Sequence, residues 1–140
     1  MHPVLALLER TATLASAPDV SASGTAARLG LAPDPLAFAA PAWAGVPAVP
    51  GAERMRVRAA DSGAIDLVEL ELDPEAGPAR AELEALLGRG AEQPRMPGAA
   101  YTRLAFPRRT GAGREPLSLF ADVDDRTGRV GALIVRRDTL

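Results

Sequence analysis

Two short stretches decide the fold of this chain: residues 54–58 read RMRVR, and residues 68–72 read VELEL. Both alternate charged and apolar side chains with period two, which is the pattern of a β-strand with one buried face. Residues 61–63 read DSG, a sequence that favours a tight turn. Together they predict an antiparallel hairpin.

The same stretches also predict the register of the hairpin. Counting outward from a turn closed by Ala60 and Ile65 gives two apolar pairs and two pairs of opposite charge. The pairs are Val57 with Val68, Met55 with Leu70, Arg56 with Glu69, and Arg54 with Glu71. A slip of one residue would mix apolar and charged side chains on both faces. Facing opposite charges are ordinary surface chemistry, so the glutamates are not predicted to form a catalytic pair.

Outside the hairpin, the pattern predicts three helices and three further strands. Residues 3–16 carry an apolar face at helical spacing, a short helix capped by Ser21 or Ser23 ends at Gly30, and a third runs from residue 77 to Gly88. Strands are predicted at 101–106, 116–123 and 129–137. Prolines make 31–52 and 89–100 loops, and we expect no regular element in residues 31–52.

The resulting order of elements is α-α-β-β-α-β-β-β. Helices and hairpins come in blocks, without the alternation that builds a parallel sheet. This order predicts an α+β fold in which helices pack on one face of an antiparallel sheet. The length of 140 residues suits a single domain spanning 1–140.

An internal repeat is suggested by two similar helix exits. Leu29-Gly30 and Leu87-Gly88 each end a helix, and each is followed by a proline-containing loop and a hairpin. The interpretation is a duplication with repeats at 1–73 and 74–140. The alternative is that Leu-Gly is simply a common way to end a helix.

In this order of elements, the chain resembles the tandem-repeat β-lactamase inhibitor proteins and the related small outer-membrane assembly lipoproteins. The resemblance is carried by Leu29-Gly30, Leu87-Gly88 and the hairpins that follow. It implies a short helical pair on an antiparallel sheet and a protein that binds other proteins without catalysis. The chain departs from those families in having no cysteine, hence neither their disulfides nor a lipidation site.

Composition excludes several functional classes. All 16 basic residues are arginine, and cysteine is absent, which excludes disulfides, thiolate nucleophiles and cysteine-ligated metals. A net charge of −2 does not favour nucleic acid as a partner. The N-terminal run is interrupted too early for a signal peptide, and no stretch is long enough for a membrane span. We therefore expect a cytoplasmic protein with no membrane partner.

The residue types needed for common catalytic mechanisms are missing or poorly placed. His2 is the only histidine and lies at the start of the chain, where it has few neighbours to orient it as a base. Asp122, Asp124 and Asp125 resemble part of a calcium loop, but the required glycine and glutamate are absent. The simpler interpretation is a solvated turn. We predict no catalytic, cofactor-binding or metal-binding residue, and no cofactor.

The strand at 116–123 carries apolar side chains on both faces, with Leu119 pointing one way and Phe120 the other. We expect Phe120, Leu133 and Val135 to share the second face of the sheet. A half-solvated strand would alternate cleanly, so this face should be covered by a helix, the proline loop or another chain.

The remaining candidates for an interaction surface lie in loops. Trp43 is either a binding residue or an anchor that holds its loop to the core. Arg108 and Arg109 precede a glycine-containing segment at 111–113, which suits either phosphate binding or a mobile hairpin loop. The predicted interaction surface comprises Trp43, Phe120, Leu133, Val135, Arg108 and Arg109.

The leading functional hypothesis is a non-catalytic protein-binding module of the inhibitor, immunity or adaptor type. Its partner is another protein or a second copy of the chain. The alternative is a small enzyme or ligand-binding domain that uses carboxylates and arginines near the proline-rich loop.

Overall fold

A computed structural model describes residues 1–17, 19–107 and 116–137. It shows an α+β fold with three helices and eight strands in these residues. In chain order they are α1 (Pro3–Ser16), α2 (Ala22–Arg28), β1 (Ala32–Pro33), β2 (Ala42–Gly45), β3 (Ala52–Ala59), β4 (Ile65–Leu72), α3 (Arg80–Leu87), β5 (Ala91–Glu92), β6 (Tyr101–Ala105), β7 (Leu117–Asp124) and β8 (Val130–Arg137).

These eight strands form one antiparallel sheet in the order β1-β2-β3-β4-β8-β7-β6-β5. The prediction of no regular element in residues 31–52 is wrong, because β1 and β2 lie there, and β5 lies in the second predicted loop. These strands have two to four residues, too short for period two to be read. Pro33 is tolerated because an edge strand does not need every backbone N–H.

The predicted hairpin register is confirmed for all four predicted pairs of β3 and β4, although the register shifts near both ends of the two strands. Val57 faces Val68 and Arg56 faces Glu69, as do the other two predicted pairs. The predicted turn is wrong by one residue, because Ala59 rather than Ala60 faces Ile65. An extra residue in β4, Asp66, forms a β-bulge that restores the register beyond the turn.

The sheet has two distinct faces. The core face carries Val57, Val68, Leu119 and Val135, which lie in one row across the four central strands. Buried side chains from all three helices join these residues in a single hydrophobic cluster. We call the opposite side, which carries Phe120 and its neighbours, the outer face.

Helix starts follow from local hydrogen bonds. The imidazole Nδ1 of His2 accepts a hydrogen bond from the Val4 N–H at 3.1 Å and so caps α1. The Ser21 hydroxyl accepts from Gly24 N–H at 3.0 Å and caps α2. At α3, the Glu82 carboxylate accepts from Ala79 N–H at 3.1 Å. Each bond pairs a polar group that the first helical turn would leave unsatisfied.

The two halves of the sheet have matching element orders and matching turns. In each half, a helix precedes four strands, and the first of these strands has two residues. Gly30 and Gly88 each follow a helix, and both have a positive φ, of 73° and 89°. In each half, the residue before the helix also forms a β-bridge with the residue before the last strand. These bridges join Ser21 to Ala64 and Ala79 to Arg129.

Candidate functional site

The outer face is built by cross-strand neighbours of alternating chemistry. Arg56 on β3 faces Glu69 on β4, which faces Ile134 on β8, and Ile134 faces Phe120 on β7. The row therefore changes from charged to apolar toward the middle of the sheet. Ile134 and Phe120 are both half-buried. An apolar centre is thus placed on the side of the sheet opposite the core.

A shallow depression of about 330 Å³ lies on this apolar centre. We call it the outer-face depression; its lining residues are Leu67, Phe120, Ile134, Arg58, Arg103 and Arg136. Half of this lining is apolar and half is arginine. The volume is at the lower end of the roughly 300–1,000 Å³ typical of ligand sites. It suits one or two side chains better than a large cofactor.

The arginines of the depression are held by neighbouring groups. Arg58 donates to the Asp66 carboxylate at 2.9 Å, and the bulge in β4 brings that carboxylate beside it. Arg103 donates through two nitrogens to Asp122, at 2.8 and 3.0 Å. The hydrogen bond to Asp122 raises the pKa of Arg103 above its ordinary value.

The third arginine uses an aromatic partner. The guanidinium of Arg136 lies over the ring of Phe120, 5.6 Å from the ring centre, in cation–π geometry. Phe120 therefore contributes apolar surface and an aromatic face that contacts a guanidinium group. Two of the three arginines of the depression, Arg58 and Arg103, are thus paired with carboxylates.

Two residues predicted for the interaction surface lie on the wrong face for that role. Leu133 and Val135 are 3% and 1% exposed and belong to the hydrophobic core. The prediction is wrong because it assigned faces to each strand separately. Antiparallel pairing places Leu119 opposite Val135 and Phe120 opposite Ile134, so Ile134 is the residue that shares the outer face with Phe120.

The other predicted surface residues are also separated from Phe120. Trp43 faces Val57 on the core side and packs against the core, which is the anchoring alternative. Arg108 and Arg109 lie outside the described residues. Of the six predicted residues, only Phe120 is therefore placed on the outer face by the described structure.

A second apolar surface lies in the loop between β1 and β2. Leu36 is 75% exposed and Phe38 is fully exposed at 100%. Residues 35–52 contain no charged side chain at all. Leu36 and Phe38 therefore expose two large apolar side chains, two residues apart, in a segment without charge. We call residues 35–41 the apolar loop.

The base of the apolar loop is fixed by Asp34. Its backbone N–H donates to Ala42 O at 2.8 Å, and its carboxylate accepts from Leu36 N–H at 3.0 Å and from Arg56 Nε at 3.1 Å. Arg56 reaches this carboxylate across β2, where its cross-strand neighbour is the small Ala44. The loop is therefore tied to the outer face of the sheet.

The carboxylates with shifted pKa values do not have the properties of general acids. The Leu36 N–H and the Arg56 guanidinium lower the pKa of Asp34. The Gly90 N–H, followed by Arg80, lowers the pKa of Glu84, and Arg95 lowers that of Asp125. A general acid near neutral pH requires a pKa shifted in the opposite direction.

Histidine and metal chemistry receive no support from the described geometry. Both ring nitrogens of His2 are engaged, one with Val4 N–H and the other with Ala76 O at 2.9 Å. Within residues 1–17, 19–107 and 116–137, no group of three or more histidine, cysteine or acidic side chains could hold a metal. Asp122, Asp124 and Asp125 each bond to separate partners.

Several residues of these surfaces were not identified from the sequence. Leu67, Ile134 and the arginines of the depression come from four strands, so only the strand order brings them together. Leu36 and Phe38 had a detectable signal, namely the uncharged run at 35–52. The prolines of the same run predict a loop but do not indicate that its apolar side chains are exposed.

No family model, curated protein or solved structure matches this chain. Of the helices that the structure describes, none is both long and apolar enough to cross a bilayer.

Proposed function

We propose that this protein is a non-catalytic protein-binding module that uses the outer face of its sheet. The single observation that carries the proposal is the depression lined by Leu67, Phe120 and Ile134 together with paired arginines. The proposal takes the three helices to cover the core face, which their membership of one hydrophobic cluster supports. The outer face would then be the side of the sheet left for a partner.

The chemistry of this face supports a protein partner rather than a substrate. Aromatic and arginine side chains are the types enriched at the energetic centres of protein interfaces. The Arg58–Asp66 and Arg103–Asp122 pairs are already formed, so a partner need not supply matching charges. The depression is open and shallow, as expected for a surface that receives side chains of another chain.

The alternative of a small enzyme or ligand-binding domain near the proline-rich loop receives less support. Asp34 and Arg56 form an ion pair at this loop. Their ion pair holds the base of the apolar loop, and the pKa of Asp34 is lowered. This favours a structural carboxylate that is ionised at neutral pH over an acid–base catalyst.

Capture experiments test the proposal. The parent chain, Phe120→Asp and Val46→Asp are immobilised and exposed to an extract of the organism that encodes the protein. Val46 is the control because it is an exposed apolar residue, at 72%, away from the depression. We expect the parent and the control to retain a partner, or further copies of the chain, that Phe120→Asp does not retain. Retention unchanged by Phe120→Asp would contradict the proposal.

A further inference from the structure

The outer-face depression and the apolar loop present complementary features on one molecule. The loop offers Phe38, with its whole side chain in solvent, and Leu36 beside it. The depression offers apolar surface and arginines that can lie against an aromatic ring, as Arg136 already does with Phe120. Its volume of about 330 Å³ is matched to one or two side chains.

Charge favours an uncharged occupant for the depression. An acidic segment would compete with Asp66 and Asp122 for arginines that they already hold. A basic segment would be placed against three guanidinium groups, and like charges repel in a partly desolvated site. The apolar loop has no charged side chain, so it could enter without disturbing either ion pair.

Both features lie at the same end of the sheet. Ala42, where the apolar loop joins β2, faces Arg58, which faces Leu67, which faces Arg136. The last three residues of this row line the depression, and Arg136 lies about three strand spacings, or roughly 14 Å, from Ala42. Within one chain the loop does not fill the depression, because Phe38 is fully exposed.

We infer that the depression receives the apolar loop of a second copy, and that two copies exchange Phe38 reciprocally about a twofold axis. This inference rests on the proposed function, since it names the partner of the same surface. Twofold symmetry places the loop of each copy in the depression of the other. Both contacts then form at once, and the assembly is closed at two copies. The two copies thereby cover Phe38 of the apolar loop and the apolar lining of the depression with each other.

The contact area predicts a weak, reversible dimer. An aromatic side chain buries roughly 150–250 Å². Two such contacts, even with Leu36 added, fall in the range below ~1,200 Å² that is typical of transient association. Dimerisation should therefore depend on protein concentration, and the monomer should stay folded.

Sedimentation velocity of the full chain over a dilution series tests the inference. The parent is expected to change from one chain to two as concentration rises. Phe38→Ser and Phe120→Ser should each raise the dissociation constant by at least about tenfold, equivalent to ~1.4 kcal/mol. Val46→Ser, which also removes an exposed apolar side chain from the uncharged run, should behave as the parent. Circular dichroism confirms that each variant is folded.

Mixing the two variants distinguishes loop-into-depression exchange from other dimers. Phe38→Ser keeps an intact depression, and Phe120→Ser keeps an intact loop. A mixture can therefore form one complete contact that neither variant forms alone, so association should increase on mixing. A dimer in which Phe38 touches Phe38 would show no such rescue, and that result would overturn the inference.

The absence of cysteine permits a direct test of the contact. Ala39→Cys places a thiol in the loop, and Ser118→Cys places one beside Arg136 in the row that leads to the depression. Under oxidation, the two single variants should cross-link to each other faster than either cross-links to itself. Preferential cross-linking of Ala39→Cys with itself would contradict the proposed exchange.

The remaining outcomes separate this inference from the proposed function. A parent that stays a single chain at all concentrations, yet captures a host protein through Phe120, overturns the inference and leaves the proposed function intact. A single chain that captures nothing overturns both. Co-sedimentation of a monomeric parent with phosphatidylcholine vesicles, lost in Phe38→Ser, would identify the loop as a lipid-binding element and also overturn the inference.

Discussion

At the scale of single residues, His2 connects the start of α1 to the segment between β4 and α3. Its Nδ1 accepts from Val4 N–H, and its Nε2 lies 2.9 Å from Ala76 O. One side chain therefore both caps a helix and forms a contact between residues far apart in sequence. This role is structural, although histidine is the side chain that most often acts as a general acid or base in enzymes.

Replacing His2 should destabilise the fold without affecting binding. His2→Ala loses the cap and the bond to Ala76 O, and a lost cap typically costs about 0.5–2 kcal/mol. His2→Ser restores a capping hydroxyl, so it should recover part of the loss. Urea unfolding measures both variants, with Met1→Ala as the control because Met1 is 80% exposed. Equal stability of His2→Ala and the parent would contradict the assigned role.

Asp34 holds the apolar loop through a carboxylate that stays ionised to low pH. Leu36 N–H and Arg56 favour the charged form and lower its pKa. The stabilisation from these interactions is complete at any pH above the ordinary pKa of aspartate. It is lost only as the pH falls through the lowered pKa of the folded state. The loop base should therefore be intact at neutral pH and released only in acid.

The Leu36 amide resonance in NMR reports this titration, because its N–H donates to the Asp34 carboxylate. In the parent, the resonance should move at a pH below the ordinary aspartate range. In Asp34→Asn it should not show that transition, and chymotrypsin should cleave after Phe38 faster at neutral pH. Movement of the parent resonance at or above the ordinary range would show that Asp34 is not held as described.

At the scale of elements, the faces of β7 and β8 are set by their pairing. Leu133 faces Ala121 within the core, and the next residue, Ile134, faces Phe120 on the outer side. Neighbouring residues of similar size therefore have different environments. Substituting each of them therefore shows how much stability depends on a side chain in the core and how much on a side chain of the outer face.

Truncating Leu133 and Ile134 tests this assignment. Leu133→Ala removes a side chain that is 3% exposed and should cost about 2–5 kcal/mol, the usual range for a buried large-to-small change. Ile134→Ala should cost clearly less, because Ile134 is only half-buried. Chemical unfolding of the isolated variants at low concentration gives both values. A larger loss for Ile134→Ala would reverse the two faces.

How much the sequence predicts depends on the length of each element. The eight-residue strands β3 and β4 carry enough alternation to predict their register. The N-cap of α2 and the glycines that follow α2 and α3 are also recognisable. The two-residue strands β1 and β5 carry no period, so only pairing with a neighbour reveals them. The depression depends on β4 and β8 being adjacent, which no local pattern encodes.

At the scale of the whole molecule, the two halves meet where β4 pairs with β8. Helix exits, two-residue strands and hairpin bridges recur in the same order in each half. Duplication stays a prediction. It would explain why these features recur in both halves. The halves differ at their first loops, since Arg95 binds Ala99 O, Thr102 and Asp125 in the second half, whereas the first half has the uncharged apolar loop.

The central claim is that the outer face is the binding surface of this molecule. Carbene footprinting tests it by labelling side chains of the parent in dilute solution, in concentrated solution and in host extract. We predict that Phe120 and Ile134 are labelled when the chain is dilute and become protected when it binds itself or a partner. Leu133 and Val135 should be protected throughout. Labelling of Phe120 that stays the same in all three conditions would contradict the claim.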